Sequence, residues 1–233
     1  MTSLAPLVHV VRRLGELRER VVFVGGMVRG LLITDSGAAA ERPTDDVDFI
    51  VRLASRMEFH RLGENLRRLG FREDSSPGAP ICRWVVDGIH VDMMPTDGTI
   101  LGFRNQWYPE ALDHAIDTSV EGESFRIVSA PYFCATKLDA FADRGGGDMY
   151  HHDIEDVIAV IDGRAELHEE LVGAEEDVRT YVGREITKLL ATSAFMEALP
   201  GHLPGDRAGQ ARLSLVEARL RAIASLPTTH SDR

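Results

Sequence analysis

Residues 21–33 begin with an unbroken apolar run, VVFV, which stops at Gly25-Gly26 and resumes as MVRGLLI with helical spacing. This pattern predicts a strand over residues 21–24, a tight turn, and a helix over residues 27–33. After a short loop, the segment TDDVDFIV alternates two aspartates with apolar residues at the strand period. A strand over residues 46–53 puts Asp46 and Asp48 on one face and Val47, Phe49 and Val51 on the core face. Upstream, residues 4–18 carry apolar positions spaced as on an amphipathic helix. Residues 56–69 predict another helix, with Met57, Phe59, Leu62, Leu66 and Leu69 as its stripe and Gly70 in the place of a C-terminal capping glycine. RWVVDGIHVDMM then gives two β-prone runs joined at Asp87-Gly88, a strong hairpin signal. On its second arm His90, Asp92 and Met94 share one face, while Ile89, Val91 and Met93 share the other.

Residues 95–128 are rich in Gly, Pro, Asn and Asp with short apolar pieces such as SFRIV, and are expected to finish the sheet through loops and a strand. The pattern changes after Ser129-Ala130-Pro131, where the proline suits a first helical turn. From there the periodicity predicts helices over residues 131–143, 153–161, 167–182, 185–198 and 210–225. Gly145-Gly146-Gly147, Gly163 and PGHLPGD punctuate them. Ile154, Val157, Ile158 and Ile161 read as one core stripe. The expected organisation is an α/β domain over residues 1–128, a helical domain over 129–226 and a flexible tail over 227–233.

Composition narrows the class. The chain has 233 residues, 44% of them hydrophobic, and a mean hydropathy of −0.12, as expected of a globular protein able to bury a proper core. No apolar run approaches the roughly 20 residues of a membrane span, and the first twenty residues do not read as a secretory signal, so the expectation is a cytoplasmic protein without membrane partners. Cys82 and Cys134 lack metal-ligand spacing and read as buried free thiols. A net charge of −11 argues against a broad basic surface for nucleic acid, though not against a local basic groove. Lys137 and Lys188 are the only lysines.

The chemistry follows from the aspartates. Two carboxylates on one strand face repel unless a cation neutralises them, and hard oxygen donors favour Mg²⁺ or Mn²⁺ over zinc. The Gly25-Gly26 turn lets backbone N–H groups approach an anion at a helix N-terminus. A triphosphate with a divalent metal is the ligand that suits both. The order VGGMVRGLL and then DVDF resembles the nucleotidyltransferase superfamily, in which an apolar residue and Gly-Gly or Gly-Ser precede Asp-x-Asp on the next strand. The resemblance implies an α+β fold, with a polymerase-beta-like mixed sheet and helices followed by a helical C-terminal domain. It also implies a third carboxylate on a strand beside the Asp-x-Asp strand, and Asp92 is the best-placed candidate. His90 reads as a surface histidine. The gap of nineteen residues between Gly26 and Asp46 exceeds that of a minimal member, with DSGAAAERP as the insertion.

A second segment, ATKLDAFADRGGGDMYHHDIEDVIAVIDGR, resembles the C-terminal motif of AbiEii-type nucleotidyltransferases, including the MenT group of toxins. There a helix carrying Lys-Leu-x-Ala and a later Arg precedes a helix opening with Asp-x-x-Asp. The matching residues are Lys137, Leu138, Ala140, Arg144, Asp153 and Asp156. His152 departs from the basic residue usual before the first Asp. The resemblance implies Asp46, Asp48 and Asp92 as metal ligands, Asp92 alternatively as a base, and Lys137 and Asp153 as further catalytic residues. Gly25, Gly26, Arg29 and Lys137 would bind the nucleoside triphosphate. It implies transfer of a nucleoside monophosphate with release of pyrophosphate, a tRNA 3′ end as acceptor, and a cognate antitoxin as partner. Lys137 is expected within reach of Asp46 and Asp48, and Lys188 at the surface. A protein or small-molecule acceptor, and a non-catalytic nucleotide-binding regulator, are the alternatives. GGMVRGLL also resembles the Gly-Gly-x-Val-Arg turn of CCA-adding enzymes, a weaker match because no arginine-rich nucleotide-selecting segment follows.

Overall fold

A computed structural model describes residues 4–38, 44 and 46–226. It divides into two compact units, Met1–Gly30 with Glu41–Ser129, and Leu31–Ala40 with Ala130–Arg233. Together they form the α+β fold expected from the sequence. The expected flexible tail, residues 227–233, and most of the DSGAAAERP segment lie outside the described residues.

The first unit opens with helix α1 (Ala5–Leu14), a 3₁₀ turn (Gly15–Arg20) and strand β1 (Val21–Val24), followed directly by helix α2 (Gly25–Leu32). Strand β2 (Asp46–Val51), helix α3 (Arg56–Arg68) and strands β3 (Arg72–Glu73), β4 (Arg83–Val86) and β5 (Ile89–Pro95) come next. Helix α4 (Tyr108–Asp113) precedes strands β6 (Ile116–Val120) and β7 (Glu123–Ile127). Among the described residues one mixed sheet runs in the order β3-β4-β5-β2-β1-β7-β6. β2 is parallel to β5 and antiparallel to β1, and β4 and β5 form the expected antiparallel hairpin.

One face of this sheet is apolar. Phe23 stands opposite Phe49 in the β1–β2 register, and its ring meets those of Phe49 and Phe125 edge-on at centroid distances of 6.1 and 5.4 Å. Val47, Phe49, Val51, Trp84, Val91 and Met93 are all buried, as the alternation requires. α1 contributes Leu7, Val8, Val10, Val11 and Leu14 to the core. α3 comes so close to Trp84 that a Cβ on Gly63 would lie 3.3 Å from the indole. The stripe expected on α3 is narrower than its spacing suggested: Leu62, Gly63 and Leu66 are buried, whereas Met57 is exposed. Gly70 adopts φ 91° just beyond that helix, in keeping with its capping role.

Two corrections fall in this unit. α2 begins at Gly25 rather than Met27, so both glycines belong to the helix start. Residues 116–127 form a second hairpin, not a single strand. Its turn, Glu121-Gly122, has φ of 51° and 80° and matches the twist of a two-residue hairpin connection. The short strand β3 was not anticipated.

The second unit contains α5 (Ala130–Arg144), α6 (His152–Gly163), α7 (Leu167–Gly173), α8 (Glu176–Leu190), α9 (Ser193–Ala198), α10 (Arg207–Ala211) and α11 (Leu213–Ala224). Ile154, Val157, Ile158 and Ile161 form the buried stripe of α6. The helix boundaries near residue 180 differ from those expected. The break falls at Ala174-Glu175, where the backbone is extended and Glu176 and Asp177 open α8 in the turn where a helix dipole favours negative charge. Gly183 does not end a helix. It lies within α8, where a Cβ would come 3.2 Å from the Ile223 carbonyl oxygen, so it admits close approach of α11. The helix expected over residues 210–225 likewise divides into α10 and α11.

Residues 31–38 are fastened into this helical unit. The Gly163 carbonyl accepts the N–H groups of Thr34 and Asp35, both at 2.9 Å, and Arg164 donates to the Leu32 carbonyl at 2.7 Å. Arg212 bridges Asp35 and Asp162, at 2.7 Å to each. No described helix is long and apolar enough to cross a membrane.

Candidate functional site

The polar face of the sheet carries the aspartates. Parallel pairing sets Asp46 beside His90 and Asp48 beside Asp92, and the hairpin register sets Arg83 opposite Asp92. Paired residues share a face, so Asp46, Asp48, Asp92, His90 and Arg83 converge on a single patch of three adjacent strands. Asp92 lies on an interior strand and is 9% exposed, unlike an ordinary edge acid. His90 is half exposed, with Nδ1 3.7 Å from Asp46.

At the edge of this patch Gly25 has φ 75°, and a Cβ there would lie 1.9 Å from Asp48 Oδ2. The Asp48 carboxylate therefore sits against the first residue of α2, in space only a glycine leaves open. Gly26 is less constrained, the nearest atom to its would-be Cβ being a Thr44 methyl at 3.5 Å. Arg29, also on α2, is 2% exposed.

The sequence reading did not single out Arg83. Its guanidinium grips Asp92 in a fork, Nε to Oδ1 and Nη2 to Oδ2 both at 2.9 Å, and the same Nη2 donates to Asp46 Oδ2 at 2.7 Å. The bonds to Asp92, and then the charges of Asp92 and Asp46, raise the Arg83 pKa further above an already basic value. Cys82, the neighbouring residue, is a buried free thiol whose pKa burial and the nearby Asp92 push up to about 12, so it stays protonated and unreactive.

Three carboxylates on one face, with all-oxygen donors and a cation between two of them, form a patch whose chemistry fits a hard divalent metal. The patch already accommodates positive charge between Asp46 and Asp92.

Lys137 and Asp153 belong to the helical unit and come together there. The Lys137 ammonium lies 3.1 Å from Asp153 and 2.7 Å from Asp156, both carboxylates being fully buried. Arg144 donates to both oxygens of Asp153 at 3.0 and 3.1 Å. Burial alone would raise the Asp153 pKa, but Lys137 and Arg144 outweigh it and hold the carboxyl below its usual range. His151 caps α6 by accepting the Asp153 N–H. The His152 pKa is lowered by burial, so this position carries no fixed positive charge at neutral pH. His151, His152 and Asp153 offer ligand atoms within 4.8 Å of one another, but the two cations already on Asp153 oppose a metal there. Lys188 is exposed and pairs with Glu185.

No protein family model and no curated protein matches the sequence. Several solved structures resemble the fold. An antigenic nucleotidyltransferase-like protein from Paracoccidioides brasiliensis is 20% identical, with 83% of this chain and 92% of that chain covered and a TM-score of 0.49. The antibiotic-resistance factor ANT(2'')-Ia is 13% identical, with coverages of 83% and 96% and a TM-score of 0.47. JHP933 from Helicobacter pylori is 10% identical, with coverages of 96% and 94% and a TM-score of 0.47. The functional reading rests on the carboxylate patch rather than on these likenesses.

Proposed function

We propose that the first unit is a metal-dependent nucleotidyltransferase that moves a nucleoside monophosphate from a nucleoside triphosphate to an acceptor hydroxyl. One observation carries the reading: Asp46, Asp48 and Asp92 share a face on adjacent strands, with Gly25 opening the helix directly against Asp48. Asp46 and Asp48 would hold Mg²⁺ or Mn²⁺, and when bound the ion would neutralise charge on the phosphates and polarise the α-phosphorus. Asp92 is assigned as the third ligand, since it stands beside Asp48 on the neighbouring strand and shares its face. The N–H groups at the start of α2 would receive phosphate oxygens. The acceptor hydroxyl gives up its proton to water as its oxygen bonds to the α-phosphorus, the bond from that phosphorus to the oxygen bridging to the β-phosphate breaks, and pyrophosphate leaves with the electron pair.

The resemblance of residues 135–164 to the AbiEii type supports a tRNA 3′ end as the acceptor and a toxin role with a cognate antitoxin. Lys137, Arg144, Asp153 and Asp156, which carry that resemblance, pair with one another in the helical unit.

The test is to incubate the protein with each labelled nucleoside triphosphate, Mg²⁺ and a whole-cell extract. Label is expected in small RNA, to vanish with chelator and in Asp46→Asn and Asp48→Asn. Label in protein or small molecules would replace the tRNA acceptor, and full transfer by Asp46→Asn would overturn the metal-centred mechanism.

A further inference from the structure

The geometry points to Arg83 as an internal cation that holds Asp46 and Asp92 together until a divalent metal displaces it. The inference rests on the metal-centred reading above and adds a competitor for the same carboxylates.

The two strands place Asp46 and Asp92 on one face, where like charges repel, and the guanidinium spans both with three hydrogen bonds of 2.7 to 2.9 Å. A planar fork suits such bridging better than an ammonium, because it engages both oxygens of one carboxylate and still reaches the next. A metal entering this patch must meet the same oxygens, and guanidinium and metal repel each other. Room exists for the side chain to move. Arg83 lines a cleft of about 580 Å³ with Arg56, His60, Ile81 and the carboxylates of Glu73 and Asp74. Arg83 itself keeps some exposure, 19% of its side chain. A guanidinium displaced into that cleft would stay beside the patch, where an anionic phosphate or acceptor can satisfy it.

The experiment titrates Mn²⁺ into metal-stripped protein by calorimetry, without nucleotide, for the wild type, Arg83→Gln and Arg83→Lys, with circular dichroism to check folding. Arg83→Gln is expected to bind Mn²⁺ tighter by on the order of tenfold, because removing a nearby positive charge at a partly buried site unmasks the carboxylates. Arg83→Lys, which keeps the charge and loses the fork, should fall between. In chelator Arg83→Gln should unfold at lower temperature than the wild type, and Mn²⁺ should raise its midpoint by more. Affinity in both variants equal to or weaker than wild type overturns Arg83 as a competitor while leaving the metal centre standing. Absence of Mn²⁺ binding in all three proteins overturns the metal centre and this inference with it.

Discussion

A methyl group on Gly25 would enter space held by the Asp48 carboxylate, at a backbone angle L-residues rarely adopt. Gly25→Ala is therefore expected to lose about 1–3 kcal/mol through backbone strain, and to turn Asp48 away from its neighbours, abolishing transfer. Gly26→Ala meets only ordinary contacts and should unfold nearly as the wild type does; thermal melts of both variants check the contrast. The sequence singled out the glycine pair for backbone approach to an anion, yet the steric need for the first glycine depends on where a strand twenty residues later comes to rest. Titration also belongs at this scale. Burial lowers the pKa of His152 and of His202 below 6.5. A folded-state pKa below the unfolded value means the unfolded chain binds more protons, so their contribution is full above pH 6.5 and is lost as pH falls toward the folded values. Asp153, held below 3.8, acts in the same sense at lower pH. Urea unfolding midpoints should drop between pH 7.5 and pH 5.5, and the drop should shrink in His202→Gln.

Hairpin β4–β5 shows how an element fixes a site. Its turn residues Asp87 and Gly88 have φ of 48° and 83°, the positive pair a two-residue connection requires. That turn alone sets Val86 against Ile89 and, three steps on, Arg83 against Asp92. Arg83 was thus within reach of the sequence once Asp87-Gly88 had been recognised. Gly88→Val is expected to destabilise by about 1–3 kcal/mol from strain at the positive angle and to weaken Mn²⁺ binding if the register loosens; a melt and a metal titration together check both. The second hairpin was less legible because β6, IDTSV, lies at the sheet edge and has only two apolar residues, Ile116 and Val120, neither of them buried. The α7–α8 break was missed for a different reason. The apolar spacing runs on past residue 174, whereas the acidic run at residues 175–177 opens the new helix and Gly183 within it serves packing.

At the scale of the whole molecule, the helical unit is assembled from two separated stretches of chain. Leu32, Thr34 and Asp35 satisfy Arg164, Glu166, Arg212 and the Gly163 carbonyl, and Ile33 and Ala38 pack against the Gly163 Cα. Nothing in the local pattern of residues 31–38 announces this, since their partners lie more than a hundred residues away and are fixed only by tertiary packing. A fragment of residues 130–226 is accordingly expected to melt well below the intact chain, and a synthetic peptide of residues 31–40 should raise its midpoint in a concentration-dependent way. A fragment as stable as the whole, and indifferent to the peptide, would contradict that assembly. The general α+β architecture, by contrast, was readable, because strand-period and helix-period segments are distinct along the chain.

The register of Arg83 with Asp92 also orders events in time. A hairpin closed by two residues forms in roughly 1–10 μs, whereas the parallel pairing of β2 with β5 joins Asp48 to a partner more than forty positions away and must close a long loop first. Loop closure thus favours Asp92 meeting its arginine before the other aspartates arrive. The late strand docks onto a carboxylate whose charge is already compensated, and the chain escapes the repulsion that bringing three bare acids together would impose on its own folding.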